Sequence, residues 1–248
     1  MTGNLHRFFV EPEQIVDGQV EILGSDARQI RTVLRLKAGD SLTALDGSGM
    51  SYLAEIRELN KARVRADIRS VLRVDTEPQV HLTLAQGLPK GDKYALIIQK
   101  GTELGIGEYV GVSTARSVVQ AEHVSHKQAR WARIAKEAAE QCGRAKIPVV
   151  HGIVGLTEAL ARVEDHDIAF MAWEGESKIL LREVLGKNRN ASSVMLFVGP
   201  EGGFSPEEVE AAKRTGVQTV SLGKRVLRTE TAAIAASVII LNELEGHL

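Results

Sequence analysis

The apolar positions change rhythm part-way along the chain. Up to about residue 75 they alternate with polar ones in short runs, the period of half-buried strands. Residues 7–10 form one short strand candidate, and residues 18–22 read as a turn and a second strand. Ser25 is placed to cap a helix through Leu34, with Ile30, Val33 and Leu34 on its apolar side. Gly39-Asp40 closes that unit and opens a strand over 41–45. Asp46-Gly47-Ser48-Gly49 is a hairpin turn between that strand and alternating segments at 51–59 and 62–71. In the last of these Val64, Ala66 and Ile68 share one face. Arg63, Arg65 and Arg69 share the other with Asp67, either as a solvated strand surface or as a stripe for phosphates.

Residues 73–78 are polar and end in Pro78, which sets a boundary between a domain at 1–75 and one at 76–248. Beyond it, short apolar runs without alternation (80–85, 109–113, 147–150, 168–172, 194–198, 217–221) are separated by segments of helical period. The helices fall at 92–104, 125–142, 156–163, 178–185, 206–215 and 231–244. In the first, Ala95, Ile98, Gln99 and Thr102 share a face; in the second, Trp131, Ile134, Ala135, Ala138 and Cys142 do. Fully apolar strands between helices predict a mostly parallel sheet covered on both sides. The final helix is small and apolar almost all round, so it needs cover on more than one side, from the monomer or from a second copy.

Composition narrows the classes. The 248 residues are 44% hydrophobic and 25% charged, an ordinary globular balance. A formal net charge of -1 neither predicts nor excludes a nucleic-acid partner. One cysteine, Cys142, excludes an intramolecular disulfide and fits a reducing cytosol. No apolar run is long enough to span a bilayer, and the N-terminus lacks the apolar core of a signal peptide, so a cytoplasmic protein is expected. His123 and His126 are three apart, but no further ligand completes a metal set, and no metal is expected.

The candidate chemistry sits in loops at strand ends. Gly199-Pro200-Glu201-Gly202-Gly203 follows an apolar run and precedes a helix. It lacks the lysine and hydroxyl of a mononucleotide loop and the spacing of a dinucleotide fingerprint. The carboxyl end of a strand in an open α/β sheet is still where a ligand should lie, and Glu201 inside the turn suggests a specific contact. Leu222-Gly223-Lys224-Arg225-Val226-Leu227-Arg228-Thr229-Glu230-Thr231 is a second ligand loop, in which Thr229 or Thr231 can cap the last helix. The arginines of that loop suit phosphate or a carboxylate partner. Trp173-Glu174-Gly175 is a further strand-end turn, and Lys90-Gly91-Asp92-Lys93 and Arg116 follow two others. Glu137 and Gln141 on the helix at 125–142, and Arg144 beyond it, lie where they could reach a pocket. Cys142 reads as core rather than as a nucleophile.

Taken in order, these segments resemble the RsmE family of ribosomal RNA small-subunit methyltransferases, within the SPOUT superfamily. The match includes His6-Arg7-Phe8-Phe9-Val10, Val33-Leu34-Arg35, Leu88-Pro89-Lys90-Gly91-Asp92-Lys93, Arg116-Ser117-Val118-Val119 and Glu137 through Arg144. The two loops at Gly199 and Leu222 carry it most specifically. The resemblance implies a small PUA-like β-barrel, then an α/β domain with a trefoil knot. It implies S-adenosylmethionine held by Gly199, Pro200, Glu201, Gly202, Leu222, Gly223, Leu227, Arg228 and Thr231, walled by the strand end Met171-Ala172-Trp173-Glu174. It also implies a homodimer through the last helix, and methylation of N3 of a uridine in the decoding region of 16S rRNA within the small subunit. On that reading Arg228 and Arg116 stabilise the anionic base, and Glu201 or Glu230 orients it or accepts its proton. RNA contacts are expected at Arg7, Arg63, Arg65, Lys90, Lys93, Arg116, Gln141 and Arg144. Departures are Asp26-Ala27-Arg28, where the family often has a histidine, and Gly101 and Cys142, where alanine and serine are more usual. The rivals are a methyltransferase of this fold acting on another nucleotide, and a non-enzymatic RNA-binding assembly protein.

Overall fold

The computed structural model describes residues 5–117 and 125–245. Val118, Val119 and His123 therefore lie outside the described residues. The chain divides into two units: Met1–Glu77 with Ala139–Ile147, and Pro78–Ala138 with Pro148–Leu248.

The first unit contains β1 (Arg7–Phe9), β2 (Ile15–Val16), β3 (Gln19–Leu23), α1 (Gly24–Thr32), β4 (Ser41–Leu45), β5 (Met50–Leu59) and β6 (Arg63–Arg73). Among the described residues the strands form one six-stranded sheet in the order β1-β4-β5-β6-β3-β2, with only the β1/β4 pair parallel. Asp17 and Gly18 join β2 to β3 with both φ angles positive (51° and 76°), the turn that matches the twist of paired strands. Alternate residues of the strands point inward: Val20, Ile22, Leu42, Ala44, Ala54, Ile56, Val64 and Ala66 pack with Ala27 and Ile30 of α1. The helix starts one residue before Ser25, with Leu23 at the capping position, so Ser25 lies inside the first turn rather than capping it. It also ends at Thr32. Val33, expected on the buried side, is 69% exposed, and Leu34 and Leu36 pack on the core instead.

The second unit holds β7 (His81–Gly87), α2 (Lys93–Leu104), β8 (Glu108–Ser113), α3 (Ser125–Cys142), β9 (Val149–Gly155), α4 (Leu156–Ala161), β10 (Ile168–Ala172), α5 (Leu181–Leu185), β11 (Ser193–Val198), α6 (Pro206–Arg214), β12 (Gln218–Val220) and α7 (Thr229–Glu245). The last turn of α3, from Ala139, counts with the first unit. The six strands form an all-parallel sheet in the order β12-β10-β11-β7-β8-β9. Val194, Leu196 and Val198 of β11 enter one core cluster while Met195 and Phe197 enter the other, so both faces are covered. The helix α6 begins with a capping box: the Glu208 backbone N–H donates to the Ser205 hydroxyl, and the Glu208 carboxylate accepts from the Ser205 backbone.

Two helix faces differ from expectation. The buried stripe of α2 is Tyr94, Ile97, Ile98, Gly101 and Thr102, while Gln99 faces solvent. A side chain at Gly101 would meet the Tyr109 hydroxyl and Ile106, so the glycine makes room for Tyr109, whose hydroxyl donates to the Ile98 carbonyl (3.1 Å). On α3, Trp131 is buried edge-on against Tyr94, with ring centroids 4.6 Å apart. Cys142 is exposed rather than core, because the helix ends there and leaves its packed face.

The starts of β10 and β11 are tied by one carboxylate. Asp167 accepts hydrogen bonds from the Ser192 backbone and hydroxyl and from the Ser193 backbone at 2.8–2.9 Å, which pulls its pKa down to about 2. Because the folded value lies below the ordinary 3.8, the contribution is complete above about pH 4 and is lost as pH falls toward 2. Asp167→Asn is expected to melt below the wild type at pH 7. The gap should narrow as pH drops below about 4. A gap of constant size in melts from pH 7 to pH 3 would contradict this.

Candidate active site

The strand order places the carboxyl ends of β7, β10, β11 and β12 side by side, where the sheet reverses its winding and open α/β folds bind ligands. The loops leaving these ends are joined by close backbone contacts. A Cβ on Gly87, at the end of β7, would lie 2.7 Å from the Pro200 nitrogen and 3.0 Å from the Gly199 carbonyl carbon. Gly203 has φ +66°, and a side chain there would strike the Glu174 carboxylate. Buried Gln86 fastens the arrangement. Its Nε2 donates to the Gly87 carbonyl (2.7 Å) and the Thr229 hydroxyl (2.9 Å), with the Gly199 carbonyl 3.3 Å away. The Thr229 hydroxyl donates in turn to the Gly199 carbonyl (2.6 Å), so the first turn of α7 is pinned to the loop after β11.

These loops enclose a cavity of about 530 Å³. That lies within the range of roughly 300–1,000 Å³ usual for small-molecule and cofactor sites. Of the residues expected to hold a cofactor, Ala172, Glu174, Gly199, Pro200, Glu201, Gly202, Leu222, Gly223, Leu227 and Arg228 line it. Met171 does not: it is fully buried, its side chain in the core with Met195 and Phe197, because neighbouring strand residues face opposite sides. Thr231 is also off the lining and exposed on α7; Thr229, one half-turn earlier, takes the cavity position.

Further residues share the lining. Trp173 lines the cavity, with Lys213 5.8 Å from its ring centre. Glu176 accepts from the Lys178 and Ile179 backbone and from the Thr219 hydroxyl, bracing the wall after β10. Lys224, Arg225 and Val226 complete the lining on the second loop, and Val226 is 86% exposed at its edge. Trp173 and the second loop were expected at the cavity from their places at strand ends. Gln86 and Glu176 were missed, since an isolated amide or carboxylate carries no periodic signal.

The charges at the cavity form one network. Lys93 Nζ lies 2.7 Å from the Glu201 carboxylate and 3.8 Å from Glu230 Oε2. Glu201 also accepts from the Lys90 backbone N–H (3.2 Å). Burial pushes the Glu201 pKa up. The hydrogen bonds from Lys93, its own backbone and Lys90 outweigh that, so the group titrates below its ordinary value. Lys93 is held above its ordinary value, first by its hydrogen bond to Glu201 and then by the Glu201 and Glu230 charges. Glu230 is off the lining, and its Oε2 is buried without a hydrogen bond. Arg228 lines the cavity from an exposed position. Arg116 Nη1 donates to the Gly202 carbonyl (2.8 Å), and a Cβ on Gly202 would lie 3.0 Å from Arg116 Cβ, so the arginine packs on the glycine loop.

The residues expected to touch RNA part company. Lys90 and Gln141 are exposed. Arg7 is half-buried, its guanidinium packed over Gly143. Arg63 and Arg65 are drawn into ion pairs with Glu21 and Glu58 at 2.9–3.6 Å, the carboxylates of the neighbouring strands. Arg144 is a correction. It is only 5% exposed and is held by the Glu77 carboxylate (2.6 Å), which also accepts from the Ala145 and Lys146 backbone, so its guanidinium does not reach the surface. Among the described residues no group of three or more His, Cys, Asp or Glu could hold a metal ion, and no helix is long and apolar enough to cross a membrane.

Comparison with known proteins bears on this site directly. Residues 76–241 match the family model of the RNA methyltransferase domain, and residues 24–69 that of the RNA methyltransferase PUA domain. Ribosomal RNA small subunit methyltransferase E of Bacillus subtilis is 34% identical over 250 residues, covering 97% of this chain and 98% of the relative. The chain belongs to this RNA methyltransferase family. The Synechocystis member of the same name is 32% identical, covering 97% of this chain and 78% of the relative. The crystal structure of the Neisseria gonorrhoeae member, bound to S-adenosyl methionine, superposes with a TM-score of 0.81 at 31% identity, covering 94% and 95% of the two chains. The architecture is thus that of the SPOUT methyltransferases: a PUA-like unit followed by a parallel sheet alternating with helices.

Proposed function

We propose that this protein transfers a methyl group from S-adenosylmethionine to N3 of a uridine in the decoding region of 16S rRNA, on the assembled small subunit. The observation that carries the reading is the cavity at the carboxyl ends of β7, β10, β11 and β12, walled by glycine loops and rimmed by Arg228. The lining suits the cofactor: bare backbone at Gly199, Gly202 and Gly223 leaves room for hydrogen bonding, and Leu222 and Leu227 offer apolar surface. When bound, S-adenosylmethionine supplies an electrophilic methyl group. The chain's own residues prepare the nucleophile. N3 of uridine must give up its proton to solvent water before it attacks, and Arg228 stabilises the resulting anion.

Of the two carboxylates first considered as base, Glu201 is an anchor. Its downward-shifted pKa makes it a weak acceptor at neutral pH, and its contacts fix Lys90 and Lys93. Glu230 keeps Lys93 charged from behind. Arg228 supplies the positive charge at the cavity, and alignment against the cofactor loops does the rest. Glu201→Gln is expected to weaken cofactor binding about tenfold, by removing a charge-assisted contact, while the pH dependence of turnover keeps its shape. A new inflection in the pH–rate profile would return Glu201 to the role of base.

The protein is proposed to work as a homodimer through α7. Ile234, Ala235 and Val238 are only half-buried, and they stand outside the core cluster that takes up Ala233, Ala236, Ile240 and Leu241. A monomer in analytical ultracentrifugation would remove the dimer. The decisive experiment is methyl transfer to purified unmethylated small subunits, with free 16S rRNA beside them. The modified nucleotide is mapped by reverse transcription, since an N3 methyl blocks the pairing edge. Methylation of another base, or of none, overturns the reading.

A further inference from the structure

A central strand of the parallel sheet carries a residue that packing does not call for. Leu82 and Leu84 of β7 face the core cluster that takes up Ala233, Ala236 and Ile240 of α7, and alternation puts Gln86 on the same side. A leucine there would continue the apolar face. The glutamine is instead fully buried, and its Oε1 accepts no hydrogen bond among the described residues. An amide buried with one end unbonded is a cost to stability, so the core alone does not explain it.

The other end of the amide is fully used. Nε2 carries two protons, and the two shortest contacts take them: the Gly87 carbonyl (2.7 Å) and the Thr229 hydroxyl (2.9 Å). Because the Thr229 oxygen accepts from Gln86, its own single proton is directed at the Gly199 carbonyl (2.6 Å). Gln86, Thr229 and Gly199 thus form a directed chain of hydrogen bonds in a buried setting, where such bonds reinforce one another. Thr229 opens α7 and follows Arg228 directly. Arg228 forms no ion pair among the described residues, so no carboxylate fixes its guanidinium. Its carbonyl accepts from the Ala232 backbone (2.8 Å), and Thr229 holds the next residue. The place of Arg228 is therefore set through the backbone at the start of the helix.

We infer that Gln86 is a positioning residue for methyl transfer. Through Thr229 it fixes the start of α7 against the loop after β11, and so holds Arg228 at the cavity. Gln86 is not itself part of the lining, so it acts without touching cofactor or base. The inference rests on the proposed role of Arg228 and deepens it.

Gln86→Met keeps an unbranched side chain of similar length and removes the donor. Its melting temperature should stay within about 3 °C of wild type. Affinity for S-adenosylmethionine should stay within about threefold, because Leu222, Leu227 and the glycine backbone are untouched. Single-turnover methylation of unmethylated small subunits should fall about thirtyfold, the effect of a small displacement on a group that must be aligned. Gln86→Met combined with Arg228→Ala should be no more than about threefold slower than Arg228→Ala alone, since a residue that acts through another adds nothing once the other is gone. Thr229→Val breaks the chain from its other end and should show the same non-additivity with Arg228→Ala, which decides the matter if Gln86→Met does not fold. Turnover of Gln86→Met within about threefold of wild type overturns this inference alone. So does a loss confined to cofactor affinity, or a full further loss when either variant is added to Arg228→Ala. Wild-type protein that methylates no small subunits overturns the proposed function, and this inference with it.

Discussion

Arg228→Ala is expected to lower methyl transfer to small subunits by about a thousandfold, the scale on which removing one preorganised donor acts on a developing anion. Binding of S-adenosylmethionine should weaken by no more than about threefold, because the loop's grip resides in its backbone and in Leu222 and Leu227 rather than in the guanidinium. The prediction follows from placement. Arg228 lines the cavity one residue before α7, it is exposed, and no carboxylate pairs with it among the described residues. Its backbone carbonyl accepts from Ala232, which fixes the residue on the helix start while leaving the side chain available. Lys93 cannot substitute, being held by Glu201 at 2.7 Å. Calorimetry on the variant beside single-turnover methylation separates the two effects. Turnover within tenfold of wild type would take Arg228 out of the chemistry.

Gly87→Ala should have the second large effect, and through geometry alone. The added methyl meets backbone at Pro200 and Gly199, within 2.7–3.0 Å, and backbone has no flexible end to swing aside. Either β7 or the glycine loop must shift. An overpacked contact of this kind costs about 1–3 kcal/mol in stability. The loss in cofactor affinity should be larger, about a hundredfold, because a displacement of about 1 Å misplaces a whole wall of the cavity. Denaturant melts and cofactor titration on the same preparation test both parts. Wild-type affinity for S-adenosylmethionine would show that the loop is not seated by this contact.

Much of the second unit was legible in local pattern. Runs such as residues 194–198 are apolar on both faces, and only a strand covered on two sides satisfies that. Helix limits were readable where capping chemistry is strong, as at Ser205-Pro206 with Glu208, and were misread where it is absent, as at Ser25. The buried stripe of α2 was displaced because Tyr94 and Gly101, an amphipathic residue and a side-chain-free one, carry little weight in a hydrophobic pattern yet are both buried. At the site, the glycine loops stood out. Two finer assignments failed for a local reason: Met171 alternates away from the cavity, and Thr231 lies around the helix from Thr229.

What the amino-acid sequence determined alone was the set of elements, the change from alternating to α/β rhythm, and the two loops able to bring bare backbone to a ligand. Their ordered motifs also pointed to the family. Only the tertiary structure decided which charges are available. Glu201 meets Lys90 and Lys93 across more than a hundred residues, and Gln86 reaches Thr229 across 143. Arg144 is buried on Glu77 while Arg35 is left exposed in a strained turn. Periodicity reports which side of an element faces inward; the partner of a charge is set by strand order and by how closely loops approach. Those follow from the packing of the whole chain.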